Sequence, residues 1–195
     1  MLRLSDYLMY IKYYKKNLFL WGLKKLKKLD YTGRIENPDI RFRGYEGCYP
    51  VSRLLKRFDI SEKDTILDIG CGKGLFLYYA LNFPFSKIDG IEYSEALVKI
   101  ANVNKSILSN SRINIYCCDA RKFLNYSDYN YFFINNPFSR AITKEVVELI
   151  LKSYELRKRD ITVLYQFAFN KDLFTSKGFK IVYDQFPNTI LTFGK

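Results

Sequence analysis

The ten residues Thr65-Ile-Leu-Asp-Ile-Gly-Cys-Gly-Lys-Gly74 constrain the fold more than any other stretch of this chain. A short apolar run ends in three alternating glycines, Gly70, Gly72 and Gly74, and an apolar stripe at helical spacing starts at Leu75. Such a run reads as a strand buried on both faces, as parallel sheets require. Glycines at its end let the backbone turn sharply and let a ligand lie against the main chain. A nucleotide is the usual ligand at a strand-to-helix turn of this kind. No Gly-Lys-Ser/Thr follows at the spacing of a Walker loop, and the order is G-x-G-x-G rather than the dinucleotide fingerprint G-x-G-x-x-G.

The pattern around the loop repeats in kind. Helices are expected over Pro50–Phe58, Leu75–Asn82, Ser94 to about Asn104, and from about Thr143 with a stripe of Val146, Val147, Ile150, Leu151 and Tyr154. Strands are expected over Lys87–Glu92, Arg112–Cys118, Tyr131–Asn135 and Ile161–Phe169. Phe179–Tyr183 and Thr189–Phe193 flank Pro187-Asn188 and read as an antiparallel hairpin. Strands alternating with helices predict an α/β, doubly wound, mostly parallel sheet of seven strands with helices on both faces. Residues 30–49 are rich in turn formers and read as an irregular connection.

Composition narrows the chemistry. The 195 residues contain no histidine, which removes Ser-His-Asp and Cys-His nucleophiles, HExxH zinc sites and any imidazole base. No metal-ligand cluster stands out. Cys48, Cys71, Cys117 and Cys118 form no paired framework, as expected of free thiols in a cytoplasmic protein. Lys and Arg total 32 against 20 Asp and Glu, a net charge of +12, and residues 1–60 carry 14 of the bases against 6 of the acids. No apolar run is long enough to span a membrane, and Lys12 interrupts the N-terminal apolar stretch.

The glycine loop in this setting resembles the first motif of the class I S-adenosylmethionine (SAM) dependent methyltransferases, acid-x-Gly-x-Gly-x-Gly, and Asp68 to Gly74 match its fixed positions. The likeness spans about residues 45–195, and the terminal hairpin fits the family's last two strands. It implies a Rossmann-like methyltransferase fold, SAM as cofactor, and a cofactor site built from Tyr45, Asp68, Gly70, Cys71, Gly72, Gly74, Glu92, Tyr93, Asp119, Ala120 and Asn135. Within it Glu92, at the end of Asp89-Gly-Ile-Glu, would accept the ribose hydroxyls, and Asp119, after Ile115-Tyr-Cys-Cys, would meet the adenine amine.

On the acceptor side, Asn135-Asn136-Pro137-Phe138 ends the fourth strand where amine methyltransferases of this class carry an Asn/Asp-Pro-Pro-Tyr/Phe motif. The resemblance implies Asn135 or Asn136 as the amide that receives the acceptor's N–H, with Phe138 beside it, and leaves the register between the two open. Gly44-Tyr45-Glu46 together with these motifs also resembles small bacterial methyltransferases of undefined substrate and, more weakly, the non-SET histone lysine methyltransferases. Without histidine, a base would be Glu46, Asp119 or a tyrosine. Amines need only be neutral when attacked, whereas hydroxyls usually need a base or metal, so the balance tilts toward N-methylation. The expected acceptor is an amine or hydroxyl of a small molecule or glycan, with protein lysine or RNA as alternatives. A nucleic-acid-binding protein with a degenerate nucleotide fold is the non-enzymatic alternative, favoured by the charge and the 17% aromatic content.

Residues 1–44 read as a basic helical extension and 45–195 as the methyltransferase domain. Residues 5–29 read as one long helix or two short ones with Ser5 as N-cap, and Phe19, Leu23 and Leu26 on one face opposite Lys24, Lys25 and Lys28. Packing of that face on the domain is the leading expectation. Contact with an anionic membrane, at the inner membrane face of the cell, or with nucleic acid through residues 1–29 are the others. Oligomeric state is left open.

Overall fold

The computed structural model describes residues 4–33, 44–45 and 47–194, with side chains from Ile11 onward. Glu46, one of the candidate bases, lies outside the described residues.

The chain opens with α1 (Leu4–Lys27) and a short α2 (Ser52–Leu55). Then come β1 (Thr65–Ile69), α3 (Leu75–Ala80), β2 (Lys87–Glu92), α4 (Glu95–Leu108) and β3 (Ile113–Cys117). The second half holds β4 (Tyr131–Ile134), α5 (Arg140–Leu156), β5 (Ile161–Gln166), α6 (Asp172–Thr175), β6 (Lys180–Gln185) and β7 (Asn188–Phe193). The seven strands form one sheet in the order β3-β2-β1-β4-β5-β7-β6. The pairs from β3 through β5 are parallel, and β7 runs antiparallel to both β5 and β6. This is the Rossmann-like methyltransferase fold that the motif order implied.

Strand periodicity explains the two cores. Ile66, Ile88, Ile113, Tyr131 and Phe133 point to one face, where α1, α2 and α3 contribute Leu20, Leu23, Leu54, Leu55, Phe76 and Leu77. Leu67, Ile69, Ile91, Phe132 and Ile134 point to the other, where α5 contributes Ile142, Val146, Val147 and Ile150. Successive side chains of a strand alternate, so continuous apolar runs such as Tyr131–Ile134 fill both cores at once.

Several expectations need correction. The N-terminal helix is single and begins at Leu4, so Ser5 lies inside it and is not its cap. Its buried face is Lys16, Leu20 and Leu23, while Phe19 and Leu26 are exposed, Leu26 at 84%. The helix is turned because Lys16 finds a partner across the domain, as described below. The helix expected over Pro50–Phe58 shrinks to four residues, and the one expected from Thr143 begins at Arg140, immediately after Ser139 in an extended conformation. The strand expected to reach Phe169 stops at Gln166, because Phe167 takes a positive φ of 51°. The short helix α6 was not foreseen.

The order of strands reverses between β1 and β4, since β1 leads outward through β2 to β3 and β4 leads outward through β5. Loops leaving the carboxyl ends of β1 and β4 therefore part in opposite directions and open a crevice, the place where ligands bind in such sheets.

Candidate functional site

A narrow cleft with an enclosed volume of about 50 Å³ lies at this crevice. Its lining includes Asp68 within β1, Gly70, Cys71 and Gly72 just after it, Glu92 at the end of β2, and Asn135 and Pro137 after β4. Tyr45, Gly47 and Cys48 cover it from the N-terminal connection.

The turn after β1 is fixed by its own hydrogen bonds. The N–H groups of Gly70 and Cys71 both donate to the Ile91 carbonyl at 2.9 Å, which ties the loop to β2. The Gly72 N–H donates to Glu92 Oε2 at 2.9 Å, and the Ser94 N–H donates to Glu92 Oε1 at 2.9 Å. Glu92 thus braces the loop and the start of α4 with one carboxylate. Gly70 and Gly72 both have positive φ, 82° and 55°. A Cβ on Gly70 would stand 2.6 Å from Pro137 Cβ, and one on Gly72 would stand 2.3 Å from the Tyr45 ring. The glycines are required by close approach of the chain to itself as well as by the turn.

Charge is sparse and buried. Asp68 is buried, and no hydrogen bond or ion pair reaches its carboxylate among the described residues. Desolvation, then the neighbouring Glu92 charge, pushes its carboxyl well above the ordinary range. Burial also raises Glu92, and the backbone N–H groups of Ser94 and Gly72 pull it part of the way back. The Cys48 and Cys71 thiols are raised by burial and by Asp68, so both are held neutral.

At the end of β4 the polar groups are left open. Asn135 Oδ1 and Asn136 Oδ1 are buried without a hydrogen-bond partner among the described residues, and Asn136 adopts a left-handed φ of 45°. An unpaired buried acceptor costs about 1–3 kcal/mol, and it is the kind of defect that a bound donor would repair.

The cover is held by two contacts that sequence reasoning missed. Gln166, buried at the end of β5, accepts from the Tyr49 N–H at 3.0 Å and donates through Nε2 to the Tyr49 carbonyl at 3.2 Å. Lys16, only 4% exposed, reaches the Gly47 carbonyl with Nζ at 3.4 Å and lies 4.8 Å from the Tyr49 ring centre. A lysine in register with Leu20 and Leu23, and a glutamine ending an apolar strand, were the available signals. Tyr45 is anchored by its hydroxyl to the Tyr31 carbonyl at 2.8 Å, with its ring over Gly72.

Of the expected site residues, Tyr45, Asp68, Gly70, Cys71, Gly72, Glu92 and Asn135 meet in the cleft. Gly74, Tyr93, Asp119, Ala120, Asn136 and Phe138 are not in its lining. Asp119 is held by Arg121, whose Nη2 donates to Oδ2 at 2.6 Å and whose Nε meets both oxygens, and this pairing lowers its carboxyl below the usual range. Phe138 is turned into the core beneath α5, and Pro137 takes the place at the cleft. Cys48, Leu97 and Phe133 line the cleft unforeseen, since periodicity marks them only as core.

A family model described as a methyltransferase domain matches residues 60–180. The human EEF1A lysine methyltransferase 2 is 33% identical over 86 residues, 43% of this chain and 34% of that protein. A 23S rRNA (uracil(1939)-C(5))-methyltransferase of Francisella tularensis is 27% identical over 157 residues, 72% of this chain and 33% of that protein. The chain thus spans about a third of the length of these curated relatives. A crystal structure of a SAM dependent methyltransferase from Aquifex aeolicus superposes with a TM-score of 0.58 at 16% identity, covering 87% of this chain and 97% of that one. The likeness to that structure is one of fold.

Proposed function

This chain belongs to the class I SAM-dependent methyltransferases, and from that premise we propose that it methylates an amine whose N–H is received by the Asn135 amide oxygen at the end of β4. What the cofactor supplies is a methyl group on a cationic sulfonium, primed for in-line transfer to a lone pair.

The cleft's donor set fits that cofactor. Glu92, at the mouth of the glycine turn, is a carboxylate suited to sugar hydroxyls. The unpaired Asp68 carboxylate suits a cationic ligand, whose charge would favour its ionised form. In this reading Asp68, Gly70, Gly72 and Glu92 hold the cofactor under Tyr45. Asp119 would have to exchange Arg121 for an adenine amine.

The observation that carries the acceptor assignment is the unpaired Asn135 Oδ1 in the cleft lining, with Asn136 Oδ1 buried and unpaired next in the chain. An amide oxygen accepting one N–H of a neutral amine aims the nitrogen's lone pair elsewhere in a fixed direction. That supplies orientation, the main requirement of a displacement at carbon. The cover of Tyr45, Gly47 and Cys48 limits water in the same space. Once methylated, the nitrogen can release its proton to solvent, so no general base is required.

A hydroxyl acceptor is the second reading, and one observation favours it: a carboxylate, Asp68, lines the same cleft and could take the hydroxyl proton. The acceptor molecule in our reading is a small molecule or a glycan amine. A protein lysine, as in the name of the human relative, or a nucleobase, as in that of the bacterial one, are the counterparts to be separated from it. Incubation with SAM carrying a carbon-13 methyl, against small-molecule, glycan, protein and RNA fractions, tests this. An N-methyl carbon signal is expected in the product. An O-methyl or C-methyl signal would overturn the amine assignment.

A further inference from the structure

We propose that α1 docks this protein onto an anionic lipid bilayer through the face it turns away from the domain. The helix carries two apolar faces where a packed surface helix needs one. Leu20 and Leu23 are spent on the domain core. On the opposite side Tyr14, Leu18 and Trp21 follow each other at i, i+4 and i+7, exposed at 63%, 59% and 58%. Isolated exposed apolar side chains are ordinary, but an aligned stripe of aromatic and aliphatic residues on one helix marks an interaction surface.

The surroundings of the stripe select the occupant. Lys15 and Lys24 flank it about a quarter turn to either side and Lys25 lies on it, all exposed, and of these only Lys24 meets a carboxylate among the described residues, Asp30 at 3.2 Å. The Lys25 Nζ lies 5.9 Å from the Trp21 ring centre, one turn further along the same face. An apolar stripe bearing tryptophan and tyrosine and bordered by lysines matches the boundary between acyl chains and anionic headgroups. A second copy of the chain would bring the same lysines face to face. A nucleic acid would neutralise the lysines but leave Leu18 in water. No helix of the described residues is long and apolar enough to cross a membrane, so the contact is one of surface docking. The buried side of the same helix reaches the cleft cover through Lys16, so docking would leave the cover on the side of the helix away from the bilayer. The proposal does not depend on the chemical class of the acceptor.

The chain has a single tryptophan, so its emission reports Trp21 alone. The full-length protein is titrated at low salt, where electrostatic attraction is strongest, with vesicles of phosphatidylcholine containing phosphatidylglycerol, and with pure phosphatidylcholine. A blue shift with the anionic vesicles, quenched by brominated acyl chains and weakened by salt, is expected. Leu18→Glu should weaken binding at least tenfold while leaving the melting temperature and SAM affinity unchanged. No shift on anionic vesicles at low salt would overturn the proposal. So would a shift produced by RNA but not by vesicles, or one that follows protein concentration without vesicles.

Discussion

The carboxyl ends of β1 and β2 differ from that of β4 in how their polar groups are used. At the first, the backbone is closed on itself: Gly70 and Cys71 share the Ile91 carbonyl, and Gly72 and Ser94 share the Glu92 carboxylate. At the second, two buried amide oxygens have no partner among the described residues. One region is pre-built around a turn that the chain can form alone, and the other holds polar groups whose partner must come from outside. The difference matches the division of labour expected between a constant cofactor and a variable acceptor, since function resides in sites grafted on folds.

The largest effect should come from breaking the closed side. Gly72→Ala would put a Cβ 2.3 Å from the Tyr45 ring at a φ of 55°. Left-handed strain of about 1–2 kcal/mol and overpacking of about 1–3 kcal/mol predict a loss of about 2–5 kcal/mol in denaturant unfolding without cofactor. A loss of no more than about 1–2 kcal/mol, the strain alone, would mean that Tyr45 does not lie on the loop. Next comes the cover. Gln166→Ala removes both hydrogen bonds to Tyr49, and about 1–3 kcal/mol of stability should go with them. Hydrogen exchange should speed up at residues 47–49, and unchanged exchange there would show that the cover is held by other contacts.

A smaller effect separates Asp68 from its neighbours. Its folded carboxyl is raised, so the stability of the protonated form is present at low pH and is lost as pH rises through the folded value. Unliganded protein should therefore lose stability over that rise, and Asp68→Asn should flatten the profile, leaving the part due to Glu92, which is also raised. A cationic cofactor favours the ionised carboxylate, so SAM affinity should strengthen with pH in the native protein and less so in the variant. Thermal melts across pH with and without SAM measure both. Identical profiles for the two proteins would remove Asp68 from the cofactor site.

The closed side was the legible one. Asp68, Gly70, Gly72 and Glu92 could be named from the sequence because a positive φ and a close approach admit almost only glycine, and a strand end exposes its acid at a fixed spacing. The strands β1 and β2 match their predicted bounds for the same reason, since apolar runs ending in glycine or an acid leave little latitude. The open side was less legible. Asn135 and Asn136 were visible as residues, but their unpaired state depends on what surrounds them in the fold. Phe138 could not be told from a cleft aromatic because burial in the core and exposure at a cleft demand the same side chain. Helix α1 was misread by a rotation: hydropathy placed Leu26 inside, whereas Lys16 gains a buried carbonyl and takes the inner face with Leu20 and Leu23. Tertiary partners of this kind override periodicity, and the aliphatic stem of a lysine makes the exchange feasible.

The contrast between the two ends is tested most directly by calorimetric titration of SAM into the native protein, Glu92→Ala and Asn135→Ala, followed by single-turnover rates with the identified acceptor. Loss of a charged hydrogen-bond acceptor of about 1.5–3 kcal/mol predicts an affinity about 10–150-fold weaker for Glu92→Ala. For Asn135→Ala the account predicts SAM affinity within about threefold of native and a methyl-transfer rate at least about tenfold lower, equivalent to about 1.4 kcal/mol of transition-state stabilisation. An Asn135→Ala protein that loses SAM affinity as severely as Glu92→Ala, or that transfers methyl at the native rate, would contradict it.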